Sequence, residues 1–138
     1  MTMAHRLSGK VLAFIRSQRV ARVATGGRRC APHNVPVCPV AIGGRIYFAT
    51  DKTARKVRNL RANPRAAVVF DRYSENWGRL AGVMVAGRCT ILEHGAAFQR
   101  ARQALYRKYK SYARSAPIEE GDTVVVELTP TDSYAWGL

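Results

Sequence analysis

The sequence predicts a mainly β fold: about six strands forming a closed or nearly closed antiparallel barrel, with three helices outside it. Three observations point there. Two Gly-Gly pairs, at 26–27 and 43–44, each separate runs suited to strands, and Gly-Gly supplies the positive φ angles that tight hairpins need. Three more apolar runs follow, "RAAVVF", "RLAGVMVAGRCTIL" and "TVVVEL". The element order lacks the regular βα alternation of a parallel sheet, so hairpins must make most of the connections.

Residues 6–17 place Leu7, Val11, Phe14 and Ile15 on one face of a helix. Strands are expected near 19–25, 31–41 and 45–50. The middle one carries Pro32, Pro36 and Pro39. Proline donates no ladder bond, so this strand is expected to be bulged, irregular or at an edge, with backbone free to meet a ligand. A short helix over 53–62 has Asp51 or Thr53 as its N-cap, a thin apolar stripe of Val57 and Leu60, and "NP" at 63–64 as its stop. "RAAVVF" is a strand, "DRYSENWG" a polar loop, and 79–92 a long strand with two glycines that allow bending. Residues 95–113 are expected to be helical, with Phe98, Ala101, Leu105, Tyr109 and Tyr112 inward and basic residues outward. A loop over 114–121 leads to the last strand, 123–128. No repeat or linker divides the chain, so residues 1–138 are expected to form one domain.

No apolar run reaches the roughly 18 residues that span a bilayer. The stretch "MTMAHRLSGKVLAF" lacks the apolar core and cleavage site of a leader. Cys30, Cys38 and Cys89 are odd in number and fit no C-x-x-C spacing. They are expected to be reduced, which suits the cytoplasm. The net charge of +14, from 23 basic and 9 acidic residues, must attract anions: nucleic acid, an acidic membrane surface, or a phosphorylated or carboxylated cofactor.

Phosphate-binding Gly-rich loops, H-E-x-x-H and G-x-S-x-G are all missing. His5, His33 and His94 are scattered, and no pair of acids suggests acid–base work. No catalytic side chain and no metal site is therefore assigned. An enzyme of this composition would let a cofactor carry the reaction. The charge between Lys52 and Arg65 supports that idea, with six Lys or Arg and no acid. Thr50, Thr53 and the free N–H groups at the helix start can hold a phosphate, and Arg55 and Lys56 can close around it.

The stretch "YFATDKTARKVRNLRANPRAAVVF", followed by "VMVAGRCTIL", resembles the pyridoxamine 5'-phosphate oxidase-like family of FMN-binding split barrels. The resemblance runs from about Val20 to the C-terminus, and its most specific part is T-x-x-x-x-R-K-x-x-x-L-x-x-N-P-R-A. The "NVPV" strand and C-terminal "YAWGL" are similar to the small branch that uses 8-hydroxy-5-deazaflavin coenzyme. The resemblance implies a six-stranded, Greek-key-like split barrel and an oxidoreductase passing hydride to a small organic acceptor. It also implies a homodimer with its cofactor, FMN or the deazaflavin, between subunits. Arg55 and Lys56 then match the phosphate grip, and Thr50 the strand end beside it. Asn34, Val35 and Pro36 match the strand along the ring. Trp77 and Trp136 match residues lining the cleft, one or both for the partner subunit. Lys52, Arg58, Arg61 and Arg79 would rim a cleft suited to the deazaflavin's long anionic tail, a slight preference for that coenzyme.

Three departures stand out. Ala54 occupies the place of a serine before the Arg-Lys pair, and Gly82 and Val83 replace a glutamine of the long strand. The chain also ends at Leu138 without an R-x-H tail, so pyridoxal phosphate synthesis is not expected. Two other readings remain. A non-catalytic cofactor or haem carrier of the same fold would make His33 or His94 an axial ligand. A basic nucleic-acid binder would use "LYRKYKSY", although Tyr109 and Tyr112 sit on the apolar helical stripe.

Overall fold

The computed structural model describes residues 5–138; the first four residues of the stretch considered as a leader lie outside the described residues. The chain runs α1 (Gly9–Ser17), β1 (Ala21–Thr25), β2 (His33–Val37), β3 (Val40–Ile42), β4 (Arg45–Asp51), α2 (Arg55–Ala62) and β5 (Arg65–Arg72). A single 3-10 turn (Trp77–Arg79) leads to β6 (Ala81–Leu92), α3 (Ala96–Lys108), α4 (Tyr112–Ser115) and β7 (Thr123–Trp136). All strand pairs are antiparallel, in the order β2-β1-β5-β6-β7-β4-β3.

The strand count is seven rather than six. The segment expected as one strand over 31–41 breaks at Cys38 and Pro39 into β2 and β3, which lie at opposite ends of the sheet order. Two residues reach no further than about 10 Å. The sheet must therefore curl until its two edges come near each other at this corner, giving a split barrel.

Inside the barrel sit Val23, Ile46, Phe48, Val68, Phe70, Val83, Val85, Val126 and Leu128, all fully buried, joined by Phe14 and Ile15 of α1. α1 starts later than the pattern suggests because Ser8 caps it, accepting from the Val11 N–H at 3.2 Å. α3 covers the outside of the sheet with Phe98, Ala101 and Leu105 against Tyr47 and Val125. β4 is thus buried on both faces.

The expected helix over 95–113 stops at Lys108. Tyr109 takes extended backbone, and its hydroxyl donates to the Pro39 carbonyl at 2.6 Å. Lys108 Nζ donates to the same carbonyl at 2.9 Å and to that of Gln18 at 2.7 Å. These bonds tie the end of α3 to the corner that closes the barrel.

The last strand continues eight residues past 128 because of a β-bulge. Gly87 pairs with Pro130, but the next pair is Ala86 with Asp132, so Thr131 is the extra residue. Before it, Val124, Val126, Leu128 and Pro130 face inward. One extra residue reverses the alternation. Asp132, Tyr134 and Trp136, which share their parity, therefore face outward. Gly87 permits the bulge: a Cβ there would lie 2.4 Å from the Thr129 carbonyl oxygen and 2.7 Å from the Leu128 side chain.

Candidate functional site

The turn from β4 into α2 brings Thr50, Lys52, Arg55 and Lys56 together. Thr50 shares a β4 face with Ile46 and Phe48, so it points to the barrel side at the strand's end and is half-buried. Asp51 and Thr53 are not the helix N-cap. Asp51 Oδ1 accepts from the Thr53 N–H at 2.7 Å and its hydroxyl at 2.5 Å, which holds the Asp51 carboxyl below the usual range. Ala54 is the cap residue and its side chain makes no capping bond. The Arg55 and Lys56 N–H groups at the start of α2 accordingly lack a side-chain acceptor.

Lys56 is half-buried, and desolvation alone lowers its pKa. Among the described residues no acid pairs with it. α2 is held in place by Val57 and Leu60, both buried, and by Asn59, whose amide donates to the buried Thr25 hydroxyl at 3.0 Å. Gly27 lies so close that a Cβ there would sit 2.6 Å from Asn59 Oδ1. This contact docks the turn carrying Arg28 and Arg29 beside α2, and both side chains are exposed. Sequence reasoning missed that pair, because only the folded hairpin brings Gly27 against Asn59 of α2.

The expected tail rim is less contiguous than the sequence suggests. Arg61 binds Glu93 at 3.1 Å, and Arg79 lies in the 3-10 turn before β6, far along the sheet from α2. Lys52 and Arg58 remain as exposed neighbours of the notch.

Asn34, Val35 and Pro36 lie on β2, an edge strand that pairs only with β1. Val35 packs toward the core, while Asn34 and Pro36 face outward. Their rows cross the whole outer face. Asn34 aligns with Ala24, Ala67, Ala86 and Asp132, and Pro36 with Arg22, Val69, Met84 and Tyr134. Ala67, Val69, Met84 and Ala86 are half-buried, so the centre of this face is apolar. The Arg22–Asp71 ion pair, at 2.5 Å, bridges β1 and β5 on it.

At the far end of that face, all six large hydrophobic side chains exposed among the described residues gather: Val20, Tyr73, Trp77, Tyr134, Trp136 and Leu138. They flank the start of β1, the end of β5, the start of β6 and the end of β7. Trp136 pairs across strands with Gly82, five residues along β6 from the Gly87 row beside α2. At the rise of a strand that is about 16 Å. Within one chain the cationic notch and the two tryptophans are separate. Tyr134, whose ring lies 5.8 Å from that of Trp136, was also missed. The Y-A-W spacing would have placed both rings on one face had the strand been expected to continue.

The other candidates are more dispersed. His33 begins β2 opposite Thr25, and its Nδ1 is buried without a partner among the described residues. His94 is exposed in the turn before α3. Cys89 is buried, which pushes its thiol up to about 12, and the three cysteines are free. Tyr109 and Tyr112 pack on the cluster under α3, and burial raises both hydroxyls. Among the described residues no group of His, Cys, Asp or Glu could hold a metal ion, and no helix is long and apolar enough to cross a membrane.

A curled antiparallel sheet whose edges meet at one corner, with outer helices, a cationic notch at one strand–helix turn and an aromatic corner at the far end, defines a split-barrel protein. The family model for pyridoxamine 5'-phosphate oxidase matches residues 7–137, and the chain belongs to that split-barrel family. Solved structures share the fold. A conserved hypothetical protein from Mycobacterium tuberculosis aligns with a TM-score of 0.80 at 21% identity, over 99% of this chain and 89% of that one. A heme-binding protein from Mycobacterium smegmatis gives 0.80 at 23%, over 96% and 55%. The heme storage protein of Vibrio cholerae gives 0.76 at 14%, over 94% of each. No curated protein matches the chain.

Proposed function

We propose that residues 1–138 form one cofactor-binding domain of a homodimeric, cytoplasmic oxidoreductase that uses FMN or the 8-hydroxy-5-deazaflavin coenzyme. The observation that carries this reading is Lys56: a partly desolvated cation, without an acidic partner among the described residues, beside the uncapped start of α2. A phosphate there would supply the missing charge and accept from the free N–H groups. The residues present therefore fit a phosphorylated cofactor. Arg55, Lys56, Thr50 and Lys52 would hold the phosphate, with Arg28 and Arg29 adding to the field.

The cofactor would supply hydride transfer to a small organic acceptor. The protein would position the ring along Asn34, Val35 and Pro36 and exclude water. The distance between notch and aromatic corner supports a dimer in which Trp77 and Trp136 serve the other subunit's cofactor. A second copy would also cover the apolar outer face. No side chain of this chain is assigned a proton or a covalent step.

The test is a pair of titrations, with FMN and with the deazaflavin coenzyme, on the protein and on the Arg55→Ala/Lys56→Ala variant. Binding by the first and its loss in the second, with unchanged far-UV circular dichroism, is expected. Equal affinity in both would overturn the site.

A second reading is a haem carrier. The orphaned Nδ1 of His33 favours it, as does the fold shared with the heme-binding protein of M. smegmatis and the heme storage protein of V. cholerae. A Soret band on haem titration that disappears in His33→Ala would support it; absence of the band would remove it.

A further inference from the structure

We propose that Gly82 and Gly137 are positioning residues for Trp136, fixing its indole as a stacking surface; the use of that surface for a cofactor ring rests on the proposed function. Gly82 is the second residue of β6, in a regular part of the ladder between β5 and β7; it pairs with Trp136 and Asp71 and is buried. Its backbone needs no glycine, since its φ is not in the left-handed region. Space explains it. A Cβ on Gly82 would lie 2.0 Å from Trp136 Cζ2, 2.5 Å from Cη2 and 2.6 Å from Cε2. The six-membered half of the indole therefore lies directly across the bare Cα.

Gly137, the next residue, fixes the backbone that carries the same side chain. Its φ is +70°, a conformation that side chains rarely adopt, and a Cβ there would meet the Leu80 carbonyl oxygen at 2.0 Å. The chain end is thus folded tightly against the start of β6. With its ring laid on Gly82 and its backbone anchored beside Leu80, the indole is set in one place, yet the residue remains 37% exposed. Tyr134, 64% exposed, places its ring beside it. An exposed aromatic held by its own fold is pre-organised for contact, because little side-chain freedom is left to lose on binding.

The experiment begins without ligand, in the full chain carrying Trp77→Phe so that Trp136 is the remaining tryptophan. Gly82→Ala and Gly137→Ala should each at least double the acrylamide quenching constant of Trp136 and red-shift its emission. Thermal unfolding then separates positioning from a plain strand defect. Gly82→Ala should lower Tm when Trp136 is present and leave it unchanged in a Trp136→Ala background. An unchanged emission, or an equal loss of Tm in both backgrounds, would overturn the assignment. Gly137→Ala, near the chain end, keeps the test available if Gly82→Ala fails to fold.

With Trp77 restored, FMN and the deazaflavin coenzyme are titrated by their own absorbance. Gly82→Ala and Trp136→Ala should each weaken binding of the preferred ligand about tenfold, and the double variant no further. Altered Trp136 emission with undiminished binding would uphold the positioning and overturn the cofactor reading alone.

Discussion

The cationic notch and the aromatic corner occupy opposite ends of one sheet and are built in opposite ways. The notch draws its principal groups, Thr50 to Lys56, from one strand–helix turn. Its anchors are local except for Asn59, which reaches back to Thr25. The corner is assembled from the start of β1, the end of β5, the 3-10 turn and the last residues of β7. Its two β7 rings, Tyr134 and Trp136, face outward only because one bulge reversed the alternation of that strand. A charged site can be made by a short segment, since Coulomb forces need only proximity. A stacking surface needs several strands in register, because ring contact depends on faces meeting.

The largest expected effect separates the two. Arg55→Ala/Lys56→Ala should weaken binding of the phosphorylated ligand about 100-fold or more, taking ~1.5–3 kcal/mol per charged contact. Tm should stay within a few degrees, since Arg55 is exposed and Lys56 has no ion-pair or hydrogen-bond partner among the described residues. Isothermal calorimetry and melting on the same samples read both; a large drop in Tm with retained affinity would invert the comparison.

Gly87→Ala probes what orients the corner. Its Cβ would meet backbone, which cannot swing away, whereas that of Gly82 meets a side chain that can. Gly87→Ala should therefore destabilise the fold by about 3 kcal/mol, more than Gly82→Ala, as measured by urea unfolding. The reverse order would mean that the bulge tolerates strain and does not set the register.

Asn59→Ala should cost about 1–2 kcal/mol by leaving the buried Thr25 hydroxyl unpartnered. It should also weaken ligand binding a few-fold by loosening α2. No change in denaturant midpoint would remove Asn59 as the strut of the notch.

The smallest effect is in pH. Desolvation places the Lys56 pKa below 10.5 in the folded protein. Its charge is unfavourable to folding below that pKa, and the penalty is relieved as pH rises through the folded pKa toward 10.5. Binding has the opposite dependence. A bound phosphate favours protonated Lys56, so affinity should fall several-fold on the alkaline side, starting earlier than an ordinary lysine would allow. Lys56→Arg should move that fall upward by at least one pH unit in the same titrations. An identical profile would assign the dependence to another group.

Much of this protein was legible in its residues. Alternating apolar runs, two Gly-Gly turns and an "NP" stop follow from backbone sterics and period-2 burial, which act over a few residues. They were enough for a barrel with outer helices and for the basic turn. Tertiary structure alone decided the seventh strand, because nothing local announces that β2 and β3 lie at opposite edges of a curled sheet. It alone decided that β7 continues to Trp136 with its parity reversed, because a bulge depends on the partner strand, here Gly87 against Thr129 and Leu128. It decided too that the missing side chain at Gly82 is room for an indole. The short-range physics of the chain determined which segments are strands and helices and where the charge sits. Long-range register determined which faces those residues present, and so which of them can meet a ligand.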